Sequence, residues 1–98
     1  MPNPGTFLYD RTLKPETVRA VEAAGQKVSQ VVARWAGGHP KLTKKLEAQG
    51  IDKLLKAARD RVEQESVAEE WMRVYPDTGW IEALQMYDLD PNAPPPIS

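Results

Sequence analysis

His39 is the single imidazole in the chain. Imidazole is the side chain that titrates nearest neutrality, so general acid–base chemistry would have to pass through it or through a perturbed carboxylate. It stands in Gly37-Gly38-His39-Pro40, a turn, with no nucleophile or second ligand spaced to partner it, and is expected to be a polar turn residue. Glu69-Glu70 pairs two carboxylates in sequence, but adjacent helical residues diverge by about 100° and cannot grip one substrate atom. They belong to a solvated acidic face. The absence of cysteine excludes disulfides, thiolate zinc sites, iron–sulfur ligation and a thiol nucleophile, and a lone histidine excludes a two-histidine metal site. The expectation is a chain with no catalytic residue, cofactor or metal, and not an enzyme.

What remains is recognition. Lys41, Lys44, Lys45, Lys53, Lys56, Arg59 and Arg61 form a basic stretch around Gly50, and a short helix, a glycine and a basic helix outline a helix-turn-helix. That motif needs a small residue four places before the turn glycine, where Leu46 stands, and apolar residues at places occupied here by Lys56 and Arg59. The pattern fails, and Glu47, Asp52 and Asp60 interrupt the charge, so no nucleic-acid partner is expected. A basic surface facing solvent or protein fits better. Trp35, Trp71, Trp80, Tyr75 and Tyr87 are the costliest groups to leave in water, and three of them cluster at the turn from Tyr75 to Gly79. They divide between core and docking surface.

The elements that must position these residues are helical. Prolines fall between the periodic segments, where a fixed φ and a missing N–H do little harm. From Pro15, residues Val18, Val21, Gly25, Val28, Val32 and Trp35 recur at gaps of three and four, which predicts one amphipathic helix of about six turns. Gly37-Gly38 ends it, and Pro40 starts a short helix carrying Leu42 and Leu46, closed by Gly50. A third helix follows, with Asp52 as its expected cap and Ile51, Leu54, Leu55, Ala58 and Val62 on its buried side. Beyond it, Val67, Trp71, Val74 and Tyr75 lie nearly opposite that stripe. The helix therefore either changes packing partner or breaks near Ser66, where Ser66-Val67-Ala68-Glu69 has capping-box spacing. A last short helix carries Trp80, Ile81, Leu84 and Tyr87, and a proline-rich tail follows.

The chain has 98 residues with net charge −1, room for one domain with a modest core. Residues 1–62 hold 12 basic and 6 acidic side chains, a balance of +6, whereas residues 63–98 set Arg73 against eight carboxylates, −7. Such a division serves two charged contact faces or draws the halves together on folding. No apolar run reaches the roughly 18 residues of a membrane span, so a soluble chain without membrane insertion is expected. Met1-Pro2-Asn3-Pro4-Gly5 has neither a basic nor an apolar leader region, so no cleavable address is expected.

Two stretches resemble a known family. Leu8-Tyr9-Asp10-Arg11-Thr12-Leu13-Lys14 resembles the Leu-Tyr-x-[Lys/Arg]-x-Leu segment of accessory subunit five of the alpha subcomplex of mitochondrial NADH:ubiquinone oxidoreductase, complex I. The stretch from Gly50 to Val62 is similar to that family's Gln-[Ile/Val]-Glu-Glu-[Leu/Val]-Ile-x-x-Ala-x-x-Glu-Leu helix, with Glu70-Trp71 following at the family's distance. The chain departs from the family where Glu70-Trp71-Met72-Arg73-Val74-Tyr75-Pro76 stands for Glu-Trp-x-Pro-Trp-Glu. The resemblance implies a small helical bundle on the matrix side of the inner mitochondrial membrane, bound to core subunits of the peripheral arm, with no cofactor or chemistry of its own. Without it, a cytoplasmic chain is expected.

The expectation is thus an all-α bundle of three to four helices over 15–89, with an N-terminal arm over 1–14 and an extended tail over 90–98 that needs a host. Its function would be structural, through protein–protein contacts in a larger assembly; the alternative is a free-standing helical regulator or inhibitor, of phage or mobile-element type, that binds one protein. The expected contact residues are Phe7, Leu8 and Tyr9 on the arm, Trp71, Tyr75 and Trp80 around the turn, and Asp90 in the tail. Lys41, Lys44, Lys45 and Lys53 would steer an acidic neighbour.

Overall fold

The computed structural model describes residues 12–97, and Pro15 opens the first of the helices bounded within them. Phe7, Leu8 and Tyr9 lie outside the described residues. Helix α1 (Pro15–Ala23) begins with proline in its first turn, where the missing N–H costs nothing. Four more helices follow: α2 (Gln26–Gly38), α3 (Pro40–Ala48), α4 (Ile51–Val74) and α5 (Trp80–Met86). All regular structure among the described residues is helical.

The six-turn helix expected from Pro15 to Trp35 is two helices. Gly25 has φ +117°, a conformation that glycine adopts without the penalty an L side chain carries, and the chain turns there before α2 begins. A Cβ at this position would meet nothing within 4 Å, so the demand for glycine comes from the backbone alone. The apolar period survives the break because α1 and α2 turn Val18, Val21, Val28, Val32 and Trp35 into one core.

The third expected helix runs unbroken from Ile51 to Val74. Its flanking residue is Gly50, whose carbonyl accepts from Leu54 N–H at 3.1 Å; Asp52 sits in the first turn and caps nothing by hydrogen bond, although its charge suits the positive helix end. Ser66 does not cap a new helix either. Its hydroxyl donates to the Glu63 carbonyl at 2.6 Å within the continuing turn.

Of the two possibilities left open by the phase change in α4, the change of packing partner is the one realised. Leu54 and Ala58, both fully buried, join the large core with α1, α2 and α3. Ala68 closes a second, smaller core with Ala83 and Leu84 of α5, flanked by Trp71, Met72, Trp80 and Leu89. The turn between α4 and α5 is closed by Thr78 N–H donating to the Tyr75 carbonyl at 3.0 Å.

The proline-rich tail finds its host in the bundle itself. Arg61 Nη2 donates to the Asp90 carbonyl at 2.6 Å, and the His39 ring donates through Nε2 to the Asn92 carbonyl at 2.9 Å. Pro95 is buried and Ile97 packs on the large core. An extended proline segment has little backbone freedom to lose, so a few such anchors suffice to seat it.

Candidate functional site

His39, Glu69 and Glu70 each have a partner in the fold. The His39 ring holds the tail through Asn92, and its carbonyl accepts from the Thr43 hydroxyl at 2.7 Å. Glu69 and Glu70 point apart as helical neighbours must: Glu69 pairs with Lys27 at 2.8 Å, Glu70 with Arg73 at 2.9 Å. Among the described residues no three His, Asp or Glu side chains converge as metal ligands, and no helix is long and apolar enough to cross a membrane.

One carboxylate is held deep. Glu65 is only 6% exposed, and both its oxygens accept from Arg34 Nη2 of α2 at 2.8 Å, while Arg61 Nε, one turn earlier on α4, donates at 2.6 Å. Arg61 also reaches the tail at Asp90, so a single carboxylate ties α2, α4 and the tail together. A buried charge needs partners of this kind to offset its lost hydration. With Lys27–Glu69, this pairing spends part of the division of charge between the two halves of the sequence inside the molecule. Trp80, Lys27, Arg34, Glu65 and Glu69 line a cleft of about 340 Å³ beside it, whose charged groups are already matched with one another.

The expected contact residues separate into three places. Lys41, Lys44 and Lys45 are exposed on α3, and Lys53 is exposed in the first turn of α4. Lys53 and Lys56 share a shallow hollow with Leu46 of α3, Asp60 and Pro96, whereas Lys41, Lys44 and Lys45 do not line it. Asp90 is exposed; its carbonyl takes the Arg61 bond and its Oδ1 accepts from Asn92 N–H at 2.9 Å, fastening the tail. Trp80 packs with Trp71 on the small core and lines the charged cleft, while Trp71 also belongs to an aromatic pair.

That pair is Trp71 and Tyr75, with ring centroids 4.5 Å apart and planes tilted by 36°. Tyr87 of α5 meets the Trp71 ring edge-on at 6.3 Å, an arrangement aromatic quadrupoles favour. Val67, Val74, Tyr75 and Tyr87 are 41%, 62%, 51% and 42% exposed, around a half-buried Trp71. The spacing of Val67, Trp71 and Val74, four and then three residues, puts them on one face of α4. Trp71, Val74, Tyr75, Pro76, Asp77 and Thr78 enclose a notch of about 320 Å³. Val67 and Val74 carried the right helical phase in sequence; the contribution of Tyr87 depends on how α5 folds back and had no local signal. Compared with known protein families, curated proteins and solved structures, the chain matches none.

Proposed function

We propose that this chain is a non-catalytic binding module that works by protein–protein contact inside a larger assembly. The observation that carries this reading is the contiguous exposed surface of Val67, Val74, Tyr75 and Tyr87 around Trp71. A small chain that folds with aromatic and branched apolar groups together in water gains from covering them, and such patches mark partner surfaces. His39 and Glu69 make contacts between elements, and the exposed apolar groups are what the surface offers for recognition.

The specific form of this reading is an accessory subunit on the matrix-side peripheral arm of respiratory complex I, bound to its core subunits. It is supported by the resemblance of residues 8–14 and 50–62 to that family. The exposed lysines Lys41, Lys44, Lys45 and Lys53 would pin an acidic neighbour there. Native-gel separation of detergent extracts from the source membranes, with mass spectrometry of each slice, tests it. Co-migration with the NADH-oxidising band in fixed ratio is the expected result. Migration in fixed ratio with a different assembly would remove complex I and keep the binding module, and migration of the chain alone would overturn both.

A further inference from the structure

The exposed seam on α4 has a chemical character that selects its occupant. Val67, Trp71, Val74 and Tyr75 form the apolar strip, with Tyr87 along one side. Glu63 stands one turn before Val67, Glu70 one turn before Val74, and Asp77 follows Val74 by three residues, so three carboxylates edge the strip. Arg73, paired with Glu70, stands beside them. Asp77 also forms part of the notch walled by Trp71, Val74, Tyr75, Pro76 and Thr78. Aromatic faces beside a carboxylate are the chemistry that receives an ammonium or guanidinium group.

We propose that this seam binds a basic amphipathic helix of a partner protein, with its apolar face on Val67, Val74 and Tyr75 and a Lys or Arg side chain in the notch beside Asp77. The proposal rests on the reading of the chain as a binding module and names the partner's chemistry at that surface. A second copy of the chain is the poorer occupant. Two identical seams facing each other would set Glu63, Glu70 and Asp77 of one copy against the same carboxylates of the other, and like charges in contact disfavour the pairing. A helix with lysines flanking leucines meets the same rim with opposite charge.

The test uses the full chain with two synthetic amphipathic peptides of about four helical turns, one of Leu and Lys, the other of Leu and Glu, and follows binding through the emission of its three tryptophans, of which Trp71 lies at the seam. The Leu-Lys peptide is expected to bind saturably, more weakly as salt rises, and the Leu-Glu peptide at least about tenfold more weakly. Val74→Ser with Tyr75→Ser, and separately Glu63→Lys with Asp77→Lys, are each expected to weaken Leu-Lys binding by about tenfold or more. These side chains are exposed, so an unchanged melting transition shows that the loss is local. Absence of Leu-Lys binding to the full chain, equal binding of both peptides, or binding indifferent to both double variants would overturn the proposal. So would a seam-dependent dimer in sedimentation, which would assign the surface to a second copy. Fixed-ratio co-migration with an assembly, unaltered by the seam variants, would leave the binding module standing and remove only this surface and its partner.

Discussion

Near its start, α4 buries Leu54 and Ala58 completely among three other helices; near its end, the same helix leaves Val67 and Val74 in water, buries Ala68 fully against the short α5 and half-covers Trp71 and Met72. The body of the molecule and its far end thus differ in how many neighbours each apolar residue has. Apolar area removed from water stabilises by about 25 cal/mol per Å², so the body holds most of the stability. The far end retains apolar area that only another molecule can cover. One continuous helix therefore carries the buried core along one stretch and, along another, the exposed apolar side chains to which we propose a partner binds.

Substitutions can break that comparison, the largest effect first. Leu54→Ala should lower the unfolding free energy by about 3–5 kcal/mol in urea titration; a loss below about 1 kcal/mol would show that the body is not where the stability resides. Glu65→Ala should cost about 2–3 kcal/mol. It strands Arg61 and leaves Arg34 without its partner, and the figure lies below that for a fully buried pair because Arg34 is about a third exposed. Gly25→Ala forces an L side chain to φ +117° and should cost about 1–2 kcal/mol in the same titration, with the seam's peptide affinity unchanged.

Hydrogen exchange sharpens the comparison further. Amides of α5 should exchange at least about tenfold faster than those around Leu54 and Ala58, because the small core can open without the large one. Equal protection in the two regions would mean that they unfold as a single unit. The smallest effect belongs to Val74→Ser, which should move stability by no more than about 0.5 kcal/mol, since its side chain already meets solvent.

The helix boundaries were legible where one residue type carries them: Pro15, Pro40 and Gly50 lie at element starts because fixed φ and positive φ are local properties. The break at Gly25 was hidden by its own regularity. Its spacing continued the apolar stripe, and periodicity reports which side chains face the core without reporting whether the backbone between them is continuous. Continuity of α4 past Ser66 was equally undecidable locally, because a capping box and an ordinary helical serine share the same four residues. In the site, the Trp71–Tyr75 pair followed from spacing within a turn. The bond of Arg34 to Glu65 and the edge-on contact of Tyr87 join residues far apart in sequence, and the inward seating of the tail depends on the groove that the folded helices create.

Because α4 is one unbroken rod of about 36 Å, the azimuth at which a bound partner sits is locked to the basic face at the opposite end. One alanine inserted between Ser66 and Val67 would turn the seam by about 100° relative to that face and part Glu69 from Lys27. In an assembly where both ends must engage together, the number of residues along this rod is a tuning parameter of geometry in its own right.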